Sequence, residues 1–396
     1  MASQFKNDIF DFGFVPILVE YLDSKNSTVC LQSAAILTYL CKESAKNIEI
    51  IAKSGAIKYF LKRLHSTIPE LPSFSLTFLH SVISECPHLH KYYDNPEFVK
   101  NVEKLINSNP SNDIMTNAPA LLVSMCKKEN APLRDDTVKQ LLKTFFKFVQ
   151  HKNDKIVQDS ALGLRMLALL PEKPYPKIFD DEKVIRDLTQ MLKHRQEKIQ
   201  TTALLIISRT INGKNVQLLI KNDIFTQMPK FINKSDAKLV NLALQIIRKI
   251  LLESKTQTSN FLDSNLFPMI IQKFSSPLNI QKEAAYLLSF FAINGNENHI
   301  SIMIDKGIIE AYCNFLKKTE SLEISESITI GYYSILLIAE NRRCEIFDKL
   351  ESCDGLVKIE KLGKHKNQNI KKLSTEILGF YHDKNDGQTC NKADTW

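Results

Sequence analysis

Two kinds of apolar segment alternate along the chain, and both have the periodicity of a helix. In the first kind, a glycine precedes apolar residues at helical spacing, as in DFGFVPILVEYL (11–22) and KSGAIKYFLKRL (53–64). The second kind is more uniformly apolar, as in CLQSAAILTYLCKES (30–44) and KLVNLALQIIRKIL (238–251). Alternation of apolar and polar residues, as in a strand, does not persist over any useful length. The pattern therefore predicts an all-α protein.

Glycine marks the start of several helices of the first kind. It tolerates the positive φ or tight turn at which one helix ends and the next begins, so we expect such turns at these glycines. The glycines are Gly13, Gly55, Gly307 and Gly355.

The second kind of helix recurs at a regular interval. Equivalent positions fall at residues 35, 78, 120, 162, 205, 245, 286 and 330, and the successive differences are 43, 42, 42, 43, 40, 41 and 44. All-helical repeats of about 40 to 47 residues are typical of HEAT and armadillo arrays. Because one repeat cannot bury its own apolar surface, neighbouring repeats stack around a continuous core. We therefore predict a solenoid of about nine repeats, with a long concave surface lined by the third helix of each repeat.

The predicted array lies between a short N-terminal arm and a tail with the composition of a disordered segment. The predicted boundaries are 1–8 for the arm, 9–46, 47–88, 89–130, 131–173, 174–214, 215–255, 256–296, 297–342 and 343–382 for the repeats, and 383–396 for the tail.

Composition and charge narrow the class of function. The chain has only 11 glycines and lacks the G-x-G-x-x-G, P-loop and G-x-S-x-G motifs, so we expect neither an enzyme nor a cofactor. The formal net charge of +8 over 396 residues is mild and no long basic run occurs, so nucleic acid is not an expected partner.

Signals for secretion or membrane insertion are also lacking. The N-terminal sequence does not have the pattern of a signal peptide, and the apolar runs are too short to span a membrane. Eight cysteines without a C-x-x-C motif are typical of reduced intracellular thiols. We expect a protein of the cytoplasm and nucleus.

One cluster of potential metal ligands occurs in HSVISECPHLH, which contains His80, Cys86, His88 and His90. A zinc site needs a second pair of ligands at a suitable spacing, and none follows. Pro87 also interrupts the helix between the potential ligands. We expect a link between two repeats here rather than a metal site.

Three stretches resemble the importin-α family of armadillo-repeat proteins. QKEAAYLLSFFAINGN (281–296) is similar to a late repeat of that family, and SCDGLVKIEKLGKHKNQNIKKLSTEILGFY (352–381) is similar to its last repeat. SMCKKENAPL (124–133) resembles a segment that follows the third helix of an earlier repeat. The resemblance implies a right-handed superhelical armadillo solenoid without an active site.

The resemblance also implies a mode of peptide binding. In importin-α, Trp and Asn lie four residues apart on the third helices, and thus on one helix face. The indole rings hold the aliphatic stems of Lys and Arg from a nuclear localisation signal, and nearby carboxylates pair with the charged tips. The corresponding pairs here are Ala35 and Tyr39, Phe78 and Val82, Ala120 and Ser124, Leu162 and Met166, Leu205 and Arg209, Gln245 and Lys249, and Tyr286 and Phe290.

The chain thus departs from the family's ladder at nearly every position, and its only tryptophan is Trp396. Arg209 and Lys249 place positive charge where a cationic peptide would lie. The remaining candidates for the peptide groove are Glu283, Tyr286, Phe290, Tyr39, Phe78, Ser124 and Gln245.

Two interpretations of these candidates stay open. Glu283, Tyr286 and Phe290 share one helix face, and either form a slot for a peptide cation or pack between adjacent third helices. In the slot, Glu283 takes the cation and the Tyr286 ring packs its stem. Phe78 and Tyr39 likewise either contact a peptide or pack against their neighbours.

Two functions follow. The first is an importin-α-like adaptor in nucleocytoplasmic transport that binds an extended cargo peptide. The C-terminal repeats of the chain correspond to those through which the importin-α family contacts a nuclear export receptor. Only eight residues, MASQFKND, precede the first helix of the array, too few for the segment that recruits importin-β, so importin-β binding is not expected. The alternative is an armadillo scaffold that has lost binding of nuclear localisation signals and holds another protein partner.

Overall fold

The computed structural model describes residues 9–42, 44–108, 111–127, 133–169, 175–254, 261 and 266–385. The predicted N-terminal arm, residues 128–132 of the stretch SMCKKENAPL, and residues 386–396 of the predicted tail, with Trp396, lie outside this part of the chain.

All regular secondary structure in the described residues is helical. The chain forms two compact units, residues 1–210 and 211–396. Unit 1 contains α1 Phe14–Tyr21, α2 Ser27–Cys41, α3 Ala45–Ile51, α4 Ile57–Arg63, α5 Leu71–Glu85, α6 Pro96–Asn107, α7 Asn112–Met125, α8 Asp135–Phe148, α9 Asp154–Leu169, α10 Glu182–Met191 and α11 Glu197–Thr210. Unit 2 contains α12 Val216–Lys221, α13 Ile224–Ile232, α14 Ala237–Glu253, α15 Leu266–Gln272, α16 Leu278–Asn294, α17 Glu297–Asp305, α18 Ile308–Lys318, α19 Leu322–Ile338, α20 Arg343–Ser352, α21 Gly355–Leu362 and α22 Gln368–Asn385.

The long apolar helices pack side by side within each unit. In unit 1, α2 packs on α5, α5 on α7, α7 on α9 and α9 on α11. In unit 2, α14 packs on α16, α16 on α19 and α19 on α22. This succession of like helices, one per repeat, confirms the predicted all-α solenoid; the repeat boundaries and the right-handed superhelix stay predictions.

The expected turns occur at three of the four glycines. Gly13, Gly55 and Gly307 have φ angles of 69°, 91° and 83°. At the fourth, the left-handed residue is Asp354, with a φ of 50°, and Gly355 is the first residue of α21. A Cβ on Gly355 would lie 2.7 Å from a methyl carbon of Leu350, so close packing explains this glycine.

Local hydrogen bonds fix the helix starts. Asn26 accepts from the backbone N–H groups of Thr28 and Val29 at 3.0 and 3.3 Å before α2. Asn296 and His299 satisfy each other's backbone N–H groups before α17. Such caps satisfy the free N–H groups of a first turn. The last helix, α22, runs through Asn385, three residues into the predicted tail.

The expectation that the cysteines are reduced thiols is wrong for Cys344, which is disulfide-bonded, and for Cys313 and Cys353, which the structure joins to each other. Cys313 and Cys353 are 40 positions apart, which is one repeat, so the equivalent positions of neighbouring repeats meet. Cys30, Cys41, Cys86 and Cys126 are buried free thiols.

Among the described residues, no single helix is both long and apolar enough to cross a membrane. The pair Leu322–Ile338 and Glu340–Ser352, bent by 101°, meets the requirements of length and composition only when both arms are taken together.

Candidate peptide-binding groove

A groove of about 470 Å³ lies in unit 2, between α14, α16 and α19. It is lined by apolar, aromatic and charged side chains from all three helices. These include Leu252 and Arg248 of α14, Glu283, Tyr286, Phe290 and Ile293 of α16, and Glu323, Glu326 and Ile330 of α19. We call it the unit-2 groove.

Helix α16 presents the aromatic wall of the groove. Glu283, Tyr286, Phe290 and Ile293 are spaced at i, i+3, i+7 and i+10, which places them on one face. The opposite face of α16 buries its alanines, Leu287, Leu288 and Phe291 in the core. The Tyr286 side chain is 39% exposed, so one part of its ring remains available to a ligand.

Three carboxylates give the groove an acidic character. Glu283, Glu323 and Glu326 line it together with one guanidinium group, that of Arg248, so the formal charge of the lining is 1 − 3 = −2. This is opposite to the net charge of the chain, +8. Burial, together with the nearby Glu323 carboxylate, raises the pKa of the Tyr286 hydroxyl above its ordinary value.

Two of the carboxylates already have cationic partners within the chain. Arg248 Nε donates to Glu283 Oε2 at 3.2 Å, and Gln245 Nε2 donates to Glu283 Oε1 at 3.4 Å. Lys282 Nζ lies 2.5 Å from Glu323 Oε2, and this hydrogen bond raises the pKa of Lys282. Glu326 accepts from the neutral side-chain amide of Asn369 at 3.4 Å. Within the described part of the chain, Glu326 forms no ion pair.

Buried hydroxyl groups form the floor of the groove, where α16 meets α19. Ser289 Oγ donates to the Ser327 carbonyl oxygen at 2.6 Å. The Tyr312 hydroxyl of α18 lies 3.3 Å from Ser289 Oγ. Both serines line the groove, and Tyr312 is fully buried behind them. The floor of the groove therefore depends on the position of α18.

The structure brings four of the candidate residues together. Tyr286 and Phe290 line the unit-2 groove, Glu283 forms its edge, and Gln245 supports Glu283. In the slot interpretation Glu283 takes a peptide cation, whereas in the structure it pairs with Arg248 of the same chain.

The candidates in unit 1 have different surroundings. Tyr39 on α2 is 51% exposed. Phe78 is fully buried and stacks on Phe60, with ring centroids 4.3 Å apart, so its proposed contact with a peptide is wrong. Ser124 is also buried, and its hydroxyl lies 2.9 Å from His80 Nε2. Phe78 and Ser124 thus belong to the core of unit 1.

Sequence reasoning missed Arg248, Glu323 and Glu326. The repeat period could have predicted the two carboxylates, because positions 323 and 326 lie 40 and 43 residues after Glu283, which is about one repeat. Arg248 offered no such signal, since the ladder position assigned on α14 is the neighbouring Lys249.

Three of the four side chains of the considered metal cluster, those of His80, Cys86 and His88, have other partners. Cys86 Sγ donates to the Ala45 carbonyl oxygen, and His88 Nε2 lies 3.3 Å from a carboxylate oxygen of Glu49. Burial lowers the pKa of His80, which contacts Ser124. No group of three or more potential ligands that could hold a metal ion occurs in the part of the chain that the structure describes.

Comparisons with known proteins agree with this architecture. The family model described as an atypical Arm repeat matches residues 345–394. Importin subunit alpha-3 of Caenorhabditis elegans is 32% identical over 94 residues, which are 24% of this chain and 18% of that protein. Importin subunit alpha-1b of Oryza sativa is 19% identical over 386 residues, covering 94% of this chain and 72% of that protein. The chain thus spans less than a fifth of the first relative's length in their alignment.

Solved structures show the same fold. An engineered protein from a structural genomics consortium has a TM-score of 0.65 and 19% identity, with 95% of this chain and 90% of that chain covered. A designed armadillo repeat protein in complex with the peptide (KR)4 has a TM-score of 0.51 and 17% identity, with 61% of this chain and 99% of that chain covered.

Helix order, side-by-side packing and these likenesses define the fold, which is that of an armadillo-repeat solenoid. In sequence the chain is similar to importin-α subunits.

Proposed function

We propose that this chain is an importin-α-like adaptor in nucleocytoplasmic protein transport. It binds an extended segment of a cargo protein, a nuclear localisation signal or a variant of one, in the unit-2 groove. The proposal rests on the partly exposed Tyr286 ring, which lies beside Glu326 in the groove lining. Glu326 forms no ion pair within the described residues. The likeness to importin-α subunits supports the role in transport.

The groove favours a single lysine or arginine of the bound segment. The aliphatic stem of this residue packs against the Tyr286 ring, and its charged tip meets Glu326 and Glu323. A cation over an exposed aromatic ring contributes about 0.5 to 1 kcal/mol. A partly exposed ion pair contributes about as much again. The designed armadillo repeat protein that was solved in complex with the peptide (KR)4 supports a basic peptide as ligand.

Arg248 limits how many cations the groove accepts. Its guanidinium group pairs with Glu283, whose side chain is only 15% exposed. A peptide cation at this position would have to displace Arg248 from a partly buried ion pair. We therefore propose that the bound segment carries one principal basic residue, located on the α19 side of the groove.

A peptide titration tests this proposal. The probe is the (KR)4 octapeptide, measured against the full chain by fluorescence anisotropy at moderate salt. Glu323→Gln with Glu326→Gln should weaken binding about fivefold, and Tyr286→Ala should weaken it by a similar factor.

The matched control is Glu360→Gln with Asp383→Asn, which changes the net charge equally at two exposed positions outside the groove lining. Equal loss of binding in the control and groove variants would show that the attraction is only the general charge of the chain. No binding by the unaltered chain would reject the adaptor function.

The remaining parts of the proposal concern compartment and partners. We propose that the protein acts in the cytoplasm and nucleus, and that its C-terminal repeats contact a nuclear export receptor. The match of residues 345–394 to the Arm-repeat model and the similarity to importin-α support this assignment. A binding assay with purified export receptor, using the chain with and without the (KR)4 peptide, tests it; equal absence of binding in both would reject it.

A second candidate function is an armadillo scaffold that has lost binding of nuclear localisation signals. The burial of Phe78 and Ser124 in unit 1 favours it, because two ladder positions there cannot contact a peptide. Leu162 on α9 is 45% exposed and offers an apolar surface instead. In the same titration, a scaffold would bind an uncharged apolar peptide at least as tightly as the octapeptide.

A further inference from the structure

Cys313 and Cys353 bring together two neighbouring repeats of unit 2. We propose that these cysteines form a reversible redox cross-link that fastens α18 to the turn between α20 and α21 and thereby braces the unit-2 groove. The link to peptide binding rests on the proposed function, whereas the cross-link itself does not.

The backbone already holds the two cysteines at a bonding position. Their Cα atoms are 6.4 Å apart, within the range that disulfides span without movement of the main chain. Helix α18 packs against both α20 and α21. Lys317 Nζ of α18 also lies 3.0 Å from Asp354 Oδ2, next to Cys353. Helix α18 and the turn that carries Cys353 are therefore held together independently of the sulfur atoms.

The reduced form also has a satisfied environment. Cys313 is fully buried, and its Sγ lies 2.7 Å from the Cys353 carbonyl oxygen, which can accept a hydrogen bond from the Cys313 thiol once the disulfide is reduced. Breaking the disulfide therefore leaves the buried sulfur with a hydrogen-bond partner. Because both forms are accommodated by the same packing, the cross-link can open and close without unfolding the unit.

Burial distinguishes Cys353 from the free thiols that the structure describes. Cys353 is half-buried and thus within reach of a small oxidant. Cys41, Cys86 and Cys126 are buried, and desolvation raises the pKa of each thiol, to about 12 for Cys41. Only the thiolate is nucleophilic, so these thiols remain unreactive while the chain is folded.

The chemistry is an exchange with a low-molecular-weight disulfide such as oxidised glutathione. The Cys353 thiolate attacks one glutathione sulfur, and one glutathione leaves as a thiolate, which takes up a proton. The Cys313 thiol then loses its proton and attacks Cys353 Sγ, and the second glutathione leaves in the same way. Two protein thiols are oxidised, and one glutathione disulfide is reduced to two thiols. In the reducing cytoplasm and nucleus, where we place the protein, such disulfides are transient and sense oxidation.

The cross-link reaches the groove through Tyr312, which precedes Cys313 in α18. Tyr312 lies behind the groove floor, with its hydroxyl 3.3 Å from Ser289 Oγ, and Ser289 in turn donates to Ser327. A Cβ on Gly331 of α19 would lie 2.7 Å from the Tyr312 hydroxyl oxygen, which shows how closely α18 and α19 fit. Fixing α18 therefore restricts the relative movement of α16 and α19.

Peptide mapping of the full chain tests the cross-link. The reduced chain is equilibrated with oxidised glutathione, quenched with acid, alkylated after unfolding, and digested without reductant. We expect a linked pair of peptides containing Cys313 and Cys353, lighter by two hydrogen atoms than the separate peptides, which returns to thiols with reduced glutathione. Cys41, Cys86 and Cys126 should be alkylated throughout. Complete alkylation of Cys313 and Cys353 in a chain that stayed folded during oxidation would overturn the proposal.

Two variants separate the cross-link from a general effect of oxidation. Cys353→Ser removes the half-buried partner, and Cys313→Ala provides a second variant if the first does not fold. Oxidation should raise the melting temperature of the unaltered chain by about 5 °C or more and leave both variants unchanged. An equal rise in the variants would reject the pair as its cause.

Titration with the (KR)4 octapeptide tests the effect on the groove. The oxidised chain should bind it about threefold more tightly than the reduced chain, because a fixed floor loses less freedom on binding. Equal affinities would overturn the coupling to the groove. If neither form binds the peptide, the proposed function fails, whereas the mass and melting measurements still decide the cross-link.

Discussion

Alanine substitutions at Phe78 and Tyr286 compare two positions that are equivalent in the repeat but differ in their surroundings. Phe78 is fully buried and stacks on Phe60 at 4.3 Å. Tyr286 is 39% exposed in the unit-2 groove. We expect Phe78→Ala to reduce stability with little effect on peptide binding, and Tyr286→Ala to do the reverse.

The magnitudes follow from burial. Removal of a fully buried phenylalanine ring costs about 3 to 5 kcal/mol of unfolding free energy, and the stacked pair places Phe78 in the upper part of this range. For a unit of this size, that lowers the melting temperature by about 10 °C or more. Tyr286→Ala leaves no closed cavity at its exposed side, so its cost is about 1 kcal/mol or less.

The assay combines thermal unfolding, followed by circular dichroism, with the (KR)4 titration at a temperature where both variants are folded. Folded Phe78→Ala should bind the peptide with unchanged affinity, within about a factor of two, and Tyr286→Ala should bind about fivefold more weakly. A Phe78→Ala chain with an unchanged melting temperature and lost peptide binding would refute the assignment of Phe78 to the core.

Three further substitutions test other parts of the structure. Arg248→Gln frees the Glu283 carboxylate and should tighten (KR)4 binding about two- to fivefold in the same titration, and weaker binding would contradict the role given to Arg248. Gly331→Ala places a methyl group 2.7 Å from the Tyr312 hydroxyl oxygen and should destabilise unit 2 by about 1 to 3 kcal/mol in urea unfolding. Burial holds the pKa of His80 below its ordinary 6.5, so the unfolded chain binds a proton that the folded chain excludes. Stability should therefore be full above pH 6.5 and fall as the pH drops from 6.5 towards the lower pKa of the folded state, and His80→Gln should flatten this dependence in melting curves recorded between pH 5 and 7.

Helical periodicity was sufficient to place Glu283, Tyr286 and Phe290 on one face of α16, because that relation depends only on spacing along one helix. It was not sufficient to say which ladder positions face solvent. Phe78 lies on a helix with apolar residues on most sides, so the rotation of α5 is set by its neighbours, including Phe60 of α4. Cys313 and Cys353 are one repeat apart, so the period places them at equivalent positions of neighbouring repeats. The period does not show that their side chains point towards each other.

The distribution of charge across the unit-2 groove required the structure for a similar reason. Which of two adjacent residues on a helix faces a neighbouring helix depends on how the packed helix is rotated about its axis, and spacing along one helix does not determine that rotation. On α14 this residue is Arg248 rather than Lys249, and its pairing with Glu283 neutralises one edge of the groove. The uncompensated carboxylate, Glu326, lies on the other edge, on α19.

Because the charge differs between the α14 and α19 edges, the groove favours one placement of a basic residue over the other. A bound segment that placed its lysine or arginine near α14 would meet the Arg248 guanidinium, and because Arg248 is already paired with Glu283, this edge offers no net negative charge to attract it. The same residue near α19 meets Glu326 and Glu323 instead, with the Tyr286 ring between the two edges. The principal basic residue is therefore held on the α19 side, and a second cation over α14 adds little to the affinity.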